Sequence, residues 1–270
     1  MHPFLTVIRA GELERPLGSY GAMMALGIFV VGLIAVRAAA RARLDVGATF
    51  AVLACTVGGG FASAWTTFVI VEAARTGTFD AIRIAVQSGG GMVALGAVPG
   101  ALASALAAGR WLRLPVLRLL DLSIPGVAAA HAMGRLGCLL GGCCFGAPSS
   151  LPWAIVYTHP FAPASHPPVP RHPTPVYEAL AQLVLALVFA LVPVRHPGTG
   201  ARAASYLGAY AIVRLLIETT RGDAVRGVFF DGVLSTSQLL SIVALAVSLL
   251  VYLRLRFYSG SVGSMPQSSR

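Results

Sequence analysis

Residues 123–146 read SIPGVAAAHAMGRLGCLLGGCCFG. The stretch is apolar enough to lie in a bilayer. Yet it carries Arg135, with His131 one helical turn behind it and Cys138, Cys143 and Cys144 ahead of it. An arginine at the centre of a membrane helix costs roughly 2.5–3.5 kcal/mol on insertion scales. Such a residue faces a bundle interior, pairs with something and marks function. The stretch therefore reads as a membrane-embedded helix with a charge that something must justify.

The rest of the chain agrees. Of its 270 residues, 56% are hydrophobic and 11% charged, against about 25% charged in soluble domains. The fold class expected is all-α: a polytopic membrane protein, read as one domain over residues 1–270. Seven spans of about 20 residues fit the apolar runs, at 19–38, 47–71, 89–109, 117–144, 174–194, 203–220 and 235–254. Gly, Pro and Ser inside them, as in GAVPGALASALAAG at 96–109, allow close helix packing. GGGM at 89–92 is no phosphate loop, because no strand-to-helix context and no Gly-Lys-Ser/Thr follows.

The formal net charge is +10, and every basic residue is arginine. These arginines sit mainly between the apolar runs, which is a topology signal and not a nucleic-acid footprint. One set of gaps holds Arg37, Arg41, Arg43, Arg110, Arg113, Arg118, Arg195, Arg202, Arg254 and Arg256, with only Asp45 and Asp121 as acids. In the other set Arg9, Arg15, Arg75, Arg83, Arg171, Arg221 and Arg226 are nearly balanced by Glu12, Glu14, Glu72, Asp80, Asp223 and Asp231. The arginine-rich set is expected to be cytoplasmic. That puts residues 1–18 outside, the tail at 256–270 in the cytoplasm, and the proline- and aromatic-rich segment 145–173 on the outer face as a small element. The N-terminal region lacks a basic n-region, and the first apolar run lacks a good small-residue cleavage site. It reads as a retained span. SGSVGSMPQSSR at 259–270 reads as a disordered tail.

A second arginine falls inside a span, in YLGAYAIVRLLIETTRGD at 206–223. Tyr206, Tyr210, Arg214, Glu218 and Arg221 share one helical face by their spacing. Arg214 and Glu218 can neutralise each other. Alternatively Arg221 takes Glu218 and frees Arg214 for a ligand. Two arginines in different spans suit an anionic headgroup, since guanidinium binds phosphate bidentately and lysine does not. At the outer leaflet the economical ligand is a phospholipid phosphate. The C-x4-C-C cysteines do not match structural zinc spacing, and a bond between neighbours Cys143 and Cys144 would be strained. They read as small apolar residues at a helix end, so no metal is expected, with a redox or metal role as the weaker alternative. His159, His166 and His196 read as loop residues.

Several segments, in order, resemble the prolipoprotein diacylglyceryl transferase family: SYGAMMALG (19–27), SGGGMVALGAVPG (88–100), GRLGCLLGGCCFG (134–146), LPW (151–153), RHPTPVYEA (171–179), YAIVRLLIETTRGD (210–223) and LSTSQLLS (234–241). The resemblance spans roughly residues 19–255. It implies transfer of a diacylglyceryl group from phosphatidylglycerol to the lipobox cysteine of a preprolipoprotein signal peptide, in a bacterial inner membrane and without a cofactor. On this resemblance Arg135, with Gly134 and Gly137, matches the Gly-Arg-x-Gly signature. Arg214 matches the essential sixth-span arginine, and Tyr210 the tyrosine a turn before it. Tyr20 matches the first-span tyrosine. His172, Tyr177 and Glu178 match the His-Pro-x-x-x-Tyr-Glu stretch, and Glu218 and Arg221 the acid–arginine pair. The chain departs from the better-known members at Leu95, where they carry histidine, and at Cys138, Gly141 and Cys143, where they carry Asn, Asn and Glu. His131 is then the expected substitute base. The alternatives are a relative acting on another phospholipid or acceptor, and a non-catalytic lipid-binding membrane protein.

Overall fold

The computed structural model describes residues 4–10, 13–76, 94–158, 167–193, 198–222, 228–229 and 234–262. Among these lie seven helices: α1 (Ser19–Arg41), α2 (Val46–Thr76), α3 (Ala94–Trp111), α4 (Val116–Gly141), α5 (Thr174–Leu191), α6 (Ala201–Glu218) and α7 (Thr236–Val262). Two short antiparallel hairpins accompany them, β1 (Phe4–Ala10) with β2 (Leu13–Gly18), and β3 (Val228–Phe229) with β4 (Leu234–Ser235). Each expected span overlaps one helix, and residues 89–93 of the third lie outside the described residues. Five of the helices are long and apolar enough to cross a membrane; α3 and α6 fall short of that measure. The chain is a polytopic helical membrane protein.

Some expectations need correction. α4 stops at Gly141, not at 144, because Gly142 takes φ 69° and turns the chain. The N-terminal segment forms the β1–β2 hairpin, and α7 continues through Val262 into the segment read as tail. The segment after α4 is irregular and held by isolated bridges, Gly146 with Arg221 and Arg171 with both Pro148 and Ile155.

The chain divides into two compact units, residues 35–119 and residues 1–34 with 120–270. In the first, α2 and α3 meet through glycines. A β-carbon on Gly59, Gly96 or Gly100 would run into Ser104, Thr67 or Ser63 respectively. Small residues let backbones approach this closely, which is how helices gain contact without a hydrophobic driving force in lipid. Its buried cluster is Ala35, Ala39, Val52, Ala108, Leu114 and Leu119. Arg43 and Arg113 end α1 and α3 in left-handed backbone (φ 56° and 54°), and the next residues' amides return to Ala39 (2.9 Å) and Gly109 (2.8 Å). Asp45 caps α2 by accepting the Ala48 amide at 2.6 Å.

The second unit contains most of the buried polar groups. Gly27 of α1 closes on Ala130 of α4, and Gly126 closes on Val31 and Ile34. Ile124, Ala128 and Tyr206 form its apolar core. Asp121, fully buried, accepts the backbone amides of Gly198 (3.1 Å), Gly200 (3.0 Å) and Ala203 (3.1 Å). An acid from α4 thus supplies the cap that α6 lacks in its own sequence, where Gly200 (φ 77°) offers no side chain. Phe29, Leu187 and Leu250 are at least 60% exposed, whereas Glu178 and Gln182 are at most 1% exposed. Apolar side chains turned outward and polar ones inward are what a lipid solvent selects.

Candidate active site

The site lies within the second unit and is built on one turn of each of three helices. α4 presents His131 and Arg135 four residues apart, on one face. α5 presents Glu178 and, one turn on, Gln182. α6 presents Tyr206 and Tyr210 at the same interval. Glu178 is the hub. Its Oε1 receives Arg135 Nη2 at 2.8 Å and the Tyr210 hydroxyl at 2.9 Å, with His131 Nε2 at 3.6 Å. Arg135 Nε also donates toward His131 Nε2 at 3.5 Å. Around this core the Tyr206 hydroxyl donates to Gln182 Oε1 (2.9 Å) and stands 3.5 Å from His131 Nδ1. The His131 ring meets Tyr210 edge-on, with centroids 4.7 Å apart. The intramembrane charge that opened the sequence question is therefore matched by a buried carboxylate from another helix.

Arg214 has a different environment. It is 6% exposed. Its Nη2 pairs with Glu218 Oε2 (2.7 Å) and donates to Ser237 Oγ of α7 (2.7 Å). Its Nη1 is buried with no hydrogen-bond partner among the described residues. The pairing of Glu218 with Arg214 that the spacing allows is present. The backbone of Arg221 forms the isolated bridge to Gly146. Both Arg135 and Arg214 lie within electrostatic reach of Glu178.

The remaining expected residues fall around this centre. Tyr20 opens α1 against α4, where a β-carbon on Gly137 would sit 3.2 Å from its Cα. A β-carbon on Gly134 would meet nothing within 4 Å among the described residues, so packing against them does not explain that glycine. His172 Nδ1 lies 3.3 Å from the Tyr177 hydroxyl, which also accepts from Trp153 Nε1 at 2.8 Å. These three tie the irregular segment to the start of α5. Arg171 covers the Phe145 ring at 4.8 Å. Burial pushes the Tyr157 hydroxyl up to about 12, so it stays protonated there. Leu95 is helical in backbone, and its side chain lies outside the described residues, as do His159, His166 and His196.

Sequence reasoning leaves Gln182, Tyr206 and Ser237 out of the site, and it says of Glu178 that a buried acid there needs a polar partner without naming one. A signal was present: an acid and an amide one turn apart in an apolar span. A groove of about 610 Å³ between α6 and α7, lined by Gly208, Ile212 and Tyr252 among others, is on another face of α6 and holds none of these groups.

The fold and the charged centre define a polytopic helical membrane protein with arginine–carboxylate chemistry inside its bundle. The profile of the prolipoprotein diacylglyceryl transferase family matches residues 9–254, and the chain belongs to that family. It is 30% identical to the phosphatidylglycerol–prolipoprotein diacylglyceryl transferase of Clostridium tetani, over 86% of this chain and 91% of that one. It is 33% identical to the second such transferase of Clostridium perfringens, over 87% and 89%. The Synechococcus elongatus enzyme of the same name is 28% identical over 92% and 86%.

Proposed function

We propose that this chain transfers the diacylglyceryl group of phosphatidylglycerol to the lipobox cysteine thiol of a preprolipoprotein, in the bacterial inner membrane. The names of its relatives support the reaction and both substrates. The observation that carries the site is the Arg135 guanidinium paired to Glu178, with the buried Arg214 within electrostatic reach of the same carboxylate and holding a spare donor in its Nη1. A buried donor without a partner is costly unless a ligand supplies the acceptor. A lipid phosphate has acceptors to spare and the charge to hold both guanidiniums.

In this reading the substrate thiol gives its proton to a base, and its sulfur bonds to the glyceryl carbon bearing the phosphate. The carbon–oxygen bond breaks, its electrons stay on the phosphate oxygen, and glycerol-1-phosphate leaves. Arg135 and Arg214 stabilise the charge that develops there. His131 is the base. Its edge-on contact with Tyr210 and its nearness to Glu178 orient the imidazole. Tyr20, Gly134 and Gly137 shape the mouth beside Arg135. His172 and Tyr177 hold the covering segment, and Glu218 with Arg221 fixes the end of α6.

The topology belongs to the same proposal: one domain, seven spans, N-terminus outside, tail inside, and residues 145–173 over the outer leaflet. The arginine distribution supports it. The two helices of lower hydropathy are compatible with it, since α6 carries the paired Arg214 and Glu218 and α3 packs on α2 through glycines.

The test is transfer from labelled phosphatidylglycerol to a lipobox peptide by the purified chain in liposomes. Label on the peptide cysteine, stable to thioether-sparing hydrolysis, is expected. Lipid that copurifies without any product would replace the enzyme by a lipid-binding protein. His131→Ala is expected to slow turnover at least ~100-fold, the low side of a general base contribution of about 10²–10⁴. Unchanged turnover would remove His131 from the chemistry.

A further inference from the structure

The thiols at the end of α4 take no part in the reaction proposed above, yet their geometry is specific. Cys138 is buried in the last turns of α4. The helix ends at Gly141, and the amides of Gly142 and Cys143 return to Leu139 O (3.2 Å) and Cys138 O (3.0 Å). Gly142 and Cys144 both take left-handed backbone (φ 69° and 57°). That conformation costs a residue with a β-carbon roughly 1–2 kcal/mol, so Cys144 is an unusual choice for the position. The reversal folds Cys143 and Cys144 back beneath Cys138, and the Cys143 thiol donates to the Cys138 carbonyl at 3.7 Å. The three sulfurs end within 4.8 Å of one another, all as free thiols.

The turn is held from its other side by bonds that do not involve sulfur. Thr174 Oγ1 donates to Cys144 O at 2.5 Å, the Gly146 amide to His172 O at 2.9 Å, and the Ala147 amide to Thr220 O at 2.9 Å. A spacing that fits no zinc motif as a string thus becomes a triangle of soft donors once the chain reverses.

We propose that Cys138, Cys143 and Cys144 form a three-sulfur site for one thiophilic d10 cation, Cu+ or Zn2+. Metal–sulfur bonds of about 2.3 Å set sulfurs around one ion roughly 3.8–4.0 Å apart, so the thiols need to close by less than about 1 Å. An all-sulfur donor set selects soft ions over Mg2+ or Ca2+. Each thiol loses its proton to solvent on coordination. The charges of Arg135 and Arg221, which both reach Cys144, offset the excess negative charge of three thiolates around one cation. Cys143 and Cys144 are half-buried, which leaves a way in. A bound ion clamps the end of the helix carrying Arg135 to the segment that leads toward α5.

The test uses the full chain in detergent, reduced and stripped of metal, with Cys55→Ser so that only these three thiols remain. Titration with Cd2+ alone is expected to raise thiolate-to-metal charge-transfer absorption that saturates at one ion per chain. It should slow alkylation of all three cysteines at least 10-fold and raise the thermal midpoint, and Zn2+ should compete. Cys138→Ser and Cys144→Ser are each expected to abolish the absorption. Alkylation mapping of the three-cysteine protein gives the answer without those variants, should either fail to fold. No charge-transfer absorption, absorption that survives Cys138→Ser, or protection confined to one cysteine would overturn the site. So would recovery of the unreduced chain with two of these cysteines joined as a disulfide.

Discussion

The two units of the chain solve the membrane's demands in opposite ways. Residues 35–119 bury small and apolar groups, and helices α2 and α3 close on each other where Gly59, Gly96 and Gly100 leave room for Ser104, Thr67 and Ser63. The other unit buries charge. Glu178, Asp121, Arg214 and Glu218 are each at most 6% exposed, and each is paired or hydrogen-bonded to groups from its own or another helix. Packing accounts for the first pattern without reference to function. It does not account for the second, because an apolar bundle is stable without guanidiniums and carboxylates inside it. The contrast separates the residues that hold the fold from those proposed to do the chemistry, and substitutions in each unit should read out differently.

The largest effect is expected at Glu178. Glu178→Leu leaves the partly buried Arg135 charge unpaired, which destabilises by up to about 3–5 kcal/mol, and denaturant midpoints in detergent should fall accordingly. Next is Arg135→Lys. A point charge cannot copy the bidentate fork, and loss of a transition-state donor costs roughly 10²–10³ in turnover. Transfer should collapse while the melting midpoint moves little, a split that a purely structural arginine would not give. Gly100→Leu reverses that signature. Overpacking the α2–α3 contact costs about 1–3 kcal/mol, so stability should drop while the surviving folded protein keeps its turnover. The smallest effect is Asp121→Ala, which removes the cap of α6 and should cost about 1 kcal/mol, seen as faster amide exchange at Gly200 and Ala203. If Gly100→Leu abolished turnover in protein that remains folded, the division of labour between the units would fail.

Much of this could be read from the chain before any coordinates. All seven helices follow from apolar runs, and the shared face of Tyr206, Tyr210, Arg214 and Glu218 follows from their spacing. Pairing within a helix was therefore legible, as with Arg214 and Glu218. Pairing between helices was not. Nothing local to RHPTPVYEA says that Glu178 meets Arg135, because one sequence does not fix the register of α5 against α4. The same limit hid the Asp121 cap, supplied 79 residues before Gly200. The thiol triangle escaped for another reason: it depends on left-handed backbone at Cys144, where a residue with a β-carbon is rare. The β1–β2 hairpin is not legible because nothing in a short run beside a membrane span fixes a turn between two strands.

The central claim is that Arg135 and Arg214 share one phosphate. Native mass spectrometry of phosphatidylglycerol retention decides it, on the natural chain, Arg135→Lys, Arg214→Lys and the double variant. Shared ligation predicts strong coupling: each single change releases most of the lipid, and the double change releases little more. Independent, multiplying losses, or retention unchanged in either single variant, would contradict it.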